Sequence, residues 1–137
     1  MSDFHPRSVD TLRDRVVATV LRGVSLSGEN QTVEFSRLTL VAAVKPHCDG
    51  CHEFIFGDLH EFEAVDVVIV SASASDDGEW DDATQPVLVA PEALKELNIR
   101  SAPHYVLVDA EISRVIAEGV IFSPAQVANE IASFLVH

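Results

Sequence analysis

Two short apolar runs, residues 38–44 and 65–70, bracket a segment of helical periodicity, and the chain's only two cysteines stand where the first run gives way to it. Beyond Thr39, residues 38–44 lack polar alternation, as a strand covered on both faces should. Residues 65–70 repeat the pattern and read as a second buried parallel strand. Between them, Cys51, Phe54, Ile55, Leu59 and Phe62 fall on one predicted helical face. Cys48 and Cys51 therefore belong at a strand-to-helix junction, with Cys48 at the tip and Cys51 on the buried side.

That placement has a chemical meaning. Two thiols separated by Asp49 and Gly50 can close into a small disulfide ring and open again. At a helix N-terminus a thiolate is stabilised by the helix dipole and by unpaired backbone N–H groups. Cys48 is the candidate nucleophile and Cys51 the candidate resolving thiol. A protonated His47 beside Cys48 favours its thiolate, and Asp49 opposes it. With the dipole added, the Cys48 thiol is expected to ionise more readily than free cysteine.

Composition narrows the remaining classes. At 137 residues and 47% apolar, the chain suffices for one domain with its own core and does not read as disordered. A formal charge of −13 with only nine Lys and Arg argues against nucleic-acid partners. No stretch approaches the length of a membrane-spanning helix, so no membrane partner is expected. Residues 1–22 carry charges throughout and lack the apolar centre of a signal peptide. Cytoplasmic residence is the default expectation, and in that compartment a cysteine pair points to catalysis or metal binding before structure. No cofactor is expected.

Val9, Leu12, Val16 and Val20 share a helical stripe with Gly23 as a stop, so residues 1–22 read as a helical N-terminal extension and 23–137 as the domain. Residues 24–35 read as a short hairpin turning at Gly28-Glu29-Asn30. Residues 71–85 hold Ser73, Ser75, Asp76, Asp77, Glu79, Asp81 and Asp82 around the only tryptophan, Trp80. They read as a solvated acidic loop, with Trp80 as a partner-docking anchor the alternative. A short strand at 86–89 and a short helix at 91–97 started by Pro91 follow. Residues 105–108 and 115–118 read as a hairpin. Ser123, Pro124 and Gln126 form a capping box at the head of a final helix whose stripe is Val127, Ala128, Ile131, Phe134 and Leu135. The sum is an α/β chain, one mixed sheet with helices on both faces.

This order, with a cysteine pair after the first core strand and the sequence Ile99-Arg100-Ser101-Ala102-Pro103 just before the strand at 105–108, resembles the thioredoxin-like superfamily. The hairpin at 24–35 and the insert at 71–97 are most similar to its cytochrome-maturation and peroxiredoxin-related branch. The resemblance implies a cis-proline at Pro103 facing the cysteines. It implies a substrate surface of His47, Asp49, Gly50, Ala102, Pro103 and His104, and Gly119 as the glycine at that surface's edge. It also implies thiol–disulfide oxidoreductase activity, with a disulfide-containing protein substrate and a separate reducing partner. The chain departs from thioredoxin in having His47 before the first cysteine, Asp49-Gly50 between the two and His104 after the proline. Ala42 stands where thioredoxin keeps a buried aspartate.

Three other readings use the same residues. Zinc or cuprous copper could be held by Cys48, Cys51 and His104, with His47 nearby. Cys48 to His52 matches the pattern for covalent haem attachment. A redox-inactive interaction domain of the same fold is the third. His5, His60 and His137 carry no functional expectation.

Overall fold

The computed structural model describes residues 16–74 and 77–135. Its centre is β3 (Thr39–Val44), in which all six residues are buried. On one side β3 pairs in parallel with β4 (Asp66–Ser71), as two unalternating apolar runs should. On the other it pairs antiparallel with β6 (His104–Asp109), whose hairpin partner is β7 (Arg114–Val120). Beyond β4 lie β5 (Val87–Val89), then β1 (Val20–Val24) and β2 (Asn30–Glu34), giving one seven-stranded sheet in the order β2-β1-β5-β4-β3-β6-β7.

The pleat divides the core in two. Leu40, Ala42 and Val44 point to the face covered by α1 (Asp49–Phe56), a 3-10 turn at His60–Phe62 and α3 (Pro124–Leu135). Val41 and Ala43 point to the other face, covered by α2 (Pro91–Glu96) and the Leu97 and Ile99 side chains that follow it. Helix α3 begins as its sequence demands. The Ser123 hydroxyl accepts from the Gln126 N–H at 3.1 Å, and Gln126 Oε1 accepts from the Ser123 N–H at 3.1 Å.

Three sequence expectations are corrected. The stripe over residues 8–22 is not helical where it can be seen: residues 8–15 lie outside the described residues, and from Val16 the chain is extended. Val16 bridges Arg114, and Val20–Val24 is a strand with Leu21 fully buried. Residues 20–22, assigned to the extension, are therefore sheet residues. The valines that suggested a stripe are β-branched, and pairing with β2 and β5 decides their conformation. The hairpin consequently sits earlier than expected, turning at residues 25–29, where the Ser25 N–H donates to the Glu29 carbonyl. Finally, the helix after the cysteines stops at Phe56. Gly57 ends it in an extended conformation, and Leu59, at φ 54°, starts a separate turn that carries Phe62 into the same core.

Candidate functional site

Strand β3 delivers the chain to the top of the sheet at Val44, and residues 45–47 turn it over into α1. His47 makes that turn at φ 60°, in the left-handed region that costs a non-glycine residue about 1–2 kcal/mol. Its backbone N–H is held by the Glu79 carboxylate, with oxygens at 3.0 and 3.1 Å, a charge-assisted contact that offsets part of this cost. The imidazole lies between Glu79 at 3.4 Å and Asp77 at 3.6 Å.

Cys48 is the N-cap of α1. Its sulfur accepts from the Cys51 N–H at 3.2 Å, taking the place of the capping oxygen that helix starts usually use. The two cysteines form a disulfide with Cα atoms 5.2 Å apart. They are not equivalent: Cys51 is 1% exposed among core side chains, while Cys48 is half-buried at the rim. Asp49 is exposed in the first turn, where a carboxylate suits the positive end of the helix dipole. Gly50 answers a close approach, since a β-carbon there would lie 3.1 Å from the carbonyl oxygens of both Ile121 and Phe122.

The Ala102–Pro103 peptide bond is cis. Pro103 and the cysteine helix meet through one strand end: the Pro103 carbonyl accepts from the Ile121 N–H at 3.4 Å, and the Ile121 carbonyl is what Gly50 packs against. Ala102 and Pro103 are both half-buried here. Val120 and Phe122, 48% and 71% exposed, flank Ile121 and give this end an apolar rim.

His104 is placed elsewhere. It pairs with Ala43 across β3 and alternates with Val106 and Val108, so its side chain belongs to the α2 face of the sheet, opposite α1. Its Nε2 lies 3.3 Å from Glu118 Oε1. The ligand set Cys48, Cys51 and His104 is thus not brought together: the pleat turns the imidazole away, and the two sulfurs are bonded to each other. Among the described residues, the groups able to surround an ion are His47 with Asp77 and Glu79, and Asp58 with His60 and Glu61, both without a cysteine. His52 is exposed and stacks on Phe56 at 4.4 Å.

The acidic segment is the largest surprise. Trp80 is 3% exposed and packs in the same cluster as Cys51, Phe54 and Ile55, so it is core and not a docking anchor. Asp81 and Asp82 beside it remain in solvent. The segment straps α1. The N–H groups of Thr84 and Gln85 donate to the Ile55 carbonyl at 3.1 and 3.0 Å, the Thr84 hydroxyl to Phe56 and the Gln85 amide to Gly57. These are carbonyls that a helix end leaves without intrahelical partners. Glu79 is the neighbour of the cysteine turn that sequence reading missed. Its only signal was a lone tryptophan within a charged run, which fits poorly with a fully solvated loop.

No family model matches the chain, and no curated protein matches it. Solved structures do. A thiol:disulfide interchange protein from Bacteroides superposes with a TM-score of 0.62 at 18% identity, covering 88% of each chain. StoA from Bacillus subtilis gives 0.61 at 18% identity, covering 84% of this chain and 98% of its own. ScoI from Bradyrhizobium japonicum, solved with copper bound, gives 0.54 at 13% identity, covering 87% and 99%.

Proposed function

We propose that this chain, whose fold is thioredoxin-like, is a thiol–disulfide oxidoreductase that cycles Cys48 and Cys51 between dithiol and disulfide. The observation that carries the reading is the asymmetry of the pair, one sulfur at the rim capping a helix and the other one turn deeper in the core. Only the outer sulfur is open to a partner, and only the inner one is held where it can displace that partner.

In the reducing direction the Cys48 thiolate attacks one sulfur of a partner disulfide, forming a mixed disulfide and expelling the other partner sulfur as a thiolate. The Cys51 thiolate then attacks the Cys48 sulfur. The internal disulfide forms, the second partner thiolate leaves, and the two expelled thiolates take up two protons. Ala42 is buried with no carboxylate to receive the Cys51 proton, so this second step proceeds without the base that thioredoxin has at that position. Pro103 and Ala102 line the path of the partner chain in this reading, with His47, Asp49 and Gly50 at its edge. His104 acts at most through Glu118 and the strand end.

The partner is a disulfide-containing protein, and a second thiol system restores the dithiol, since the chain has no further cysteines to carry electrons onward. We place the chain in the cytoplasm, where the glutathione poise makes reduction the working direction. Among the described residues, no helix is long and apolar enough to cross a membrane.

Cys51→Ser tests the assignment: it should accumulate mixed disulfides through Cys48, and Cys48→Ser should accumulate none. Trapping through residue 51 instead would reverse the roles. Copper or zinc binding by the reduced pair is a second reading, favoured by the copper-bound structure of the same fold. Stoichiometric metal with both thiols protected from alkylation would support it over exchange.

A further inference from the structure

The chain's few cations are unevenly placed. A cleft of about 350 Å³ opens at the carboxyl ends of the parallel strands β3 and β4, the position at which open α/β sheets offer a crevice. Three cations line it, Lys45, Lys95 and Arg100, and among the described residues no acidic side chain does. The whole chain has nine Lys and Arg against 22 Asp and Glu, so a third of its positive side chains meet at one acid-free depression. By contrast, the cleft beside α1 is lined by Glu53, Asp58 and Glu61. Asp77 and Glu79 are turned to the His47 imidazole, and neither they nor Asp49 lines the cleft.

Lys45 and Arg100 have no ion-pair partner among the described residues, and Lys95 shares only a surface contact of 3.4 Å with Glu92. The floor is Ala43, Val44 and Ile99, all buried, with the buried Ser71 hydroxyl at its edge bonded to Ser73. One wall is Lys45-Pro46, which runs into His47 and Cys48. The other is Ser101-Ala102, which runs into Pro103. The cleft therefore shares both its walls with the proposed site of thiol exchange.

We propose that this cleft binds the carboxylates of a small anionic thiol or disulfide and presents its sulfur to Cys48. The proposal rests on the exchange reading and names its low-molecular-weight partner. In a strongly negative molecule such a patch is what lets an anion approach at all. As reductant, two molecules of the thiol convert the Cys48–Cys51 disulfide to the dithiol through a mixed disulfide on Cys48. The two thiols leave joined as their own disulfide, and their two protons pass to the cysteines.

Binding and turnover are tested separately. S-methylglutathione, which carries the carboxylates but cannot exchange, should shift the backbone amides of residues 45, 71–73 and 99–102 in an NMR titration. The Lys45→Gln, Arg100→Gln double variant should bind it roughly five- to tenfold more weakly, and added salt should do the same to the native chain. Shifts absent from those amides, or affinity unchanged in the variant, would overturn the cleft assignment whatever the turnover. For turnover, the ratio of kcat/KM for oxidised glutathione to that for neutral hydroxyethyl disulfide should fall by a similar factor in the double variant. An unchanged ratio with both disulfides reduced refutes the cleft and leaves the exchange reading standing. If neither disulfide reacts but the amide shifts are seen, exchange fails and the anion site remains.

Discussion

Replacing Glu79 by glutamine keeps an acceptor for the His47 N–H and removes one negative charge. The carboxylate lies 3.0 Å from the nitrogen of the residue preceding Cys48, and chain geometry then keeps it within about 9 Å of the Cys48 sulfur, with about 7 Å as a working separation. A thiolate and a carboxylate at that separation repel by about 0.6 kcal/mol at the dielectric of water and about 2.4 kcal/mol at an effective value of 20. The Glu79 side chain is 22% exposed, so screening favours the lower part of that range, about 1 kcal/mol. Loss of the charge should stabilise the thiolate by that amount, and the dithiol form by the same amount at a pH where Cys48 is ionised. The equilibrium potential against a glutathione buffer should rise by about 20 mV, and alkylation of Cys48 at fixed acidic pH should quicken up to about fivefold. Glu79→Ala should add a loss of thermal stability, because the His47 N–H then loses a charge-assisted partner worth about 1–2 kcal/mol. A potential that stays put or becomes more negative in the glutamine variant would refute the electrostatic account of this residue.

Further perturbations probe the frame around the site. Trp80→Ala should destabilise the chain by about 3–5 kcal/mol in urea unfolding, as a buried anchor would and an exposed one would not. Tyr105→Phe removes the hydroxyl that donates to Glu130 at 2.6 Å and should cost about 1 kcal/mol near neutral pH. The Gln126 amide first and Tyr105 second hold the Glu130 carboxyl below its ordinary range. Its contribution is complete above the ordinary carboxylate value and fades as pH falls through the lowered one, so the two chains should converge in acid. Gly119→Ala should disturb the same pair, since a β-carbon would stand 3.0 Å from the Tyr105 ring. The His60 imidazole is raised first by its hydrogen bond to Asp58 and then by the charge of Glu61, while Asp58 is lowered mainly by that same bond. His60's contribution is full below the ordinary imidazole value and lost as pH rises through the raised one. NMR titration should show the raised midpoint, and Asp58→Asn should return it toward normal.

What the sequence made legible follows from the range of the interactions involved. Strand β3, the capping box at Ser123 and the junction at Cys48 depend on neighbours within a few residues, and periodicity or spacing records those. Strand β1 was misread because its valines fit a helical stripe as well as a strand, and only pairing with β2 and β5 separates the two. The side on which His104 falls is a matter of strand parity. One position along β6 separates the α1 face from the α2 face, and sequence order alone places the residue near Pro103 without saying which way it points. Glu79 lies 32 residues from its partner His47, beyond the reach of any local pattern.

The segment that straps α1 holds it at both ends, Glu79 at its head and Thr84 with Gln85 at its tail, while Trp80 is sunk in the core between. Detaching that strap and disarranging the disulfide are then a single event. A protease that nicked the backbone near Asp81 or Asp82 should therefore slow the proposed exchange while leaving both sulfurs untouched. Resistance of that exposed stretch to cleavage becomes a direct gauge of how firmly the cysteine pair is seated.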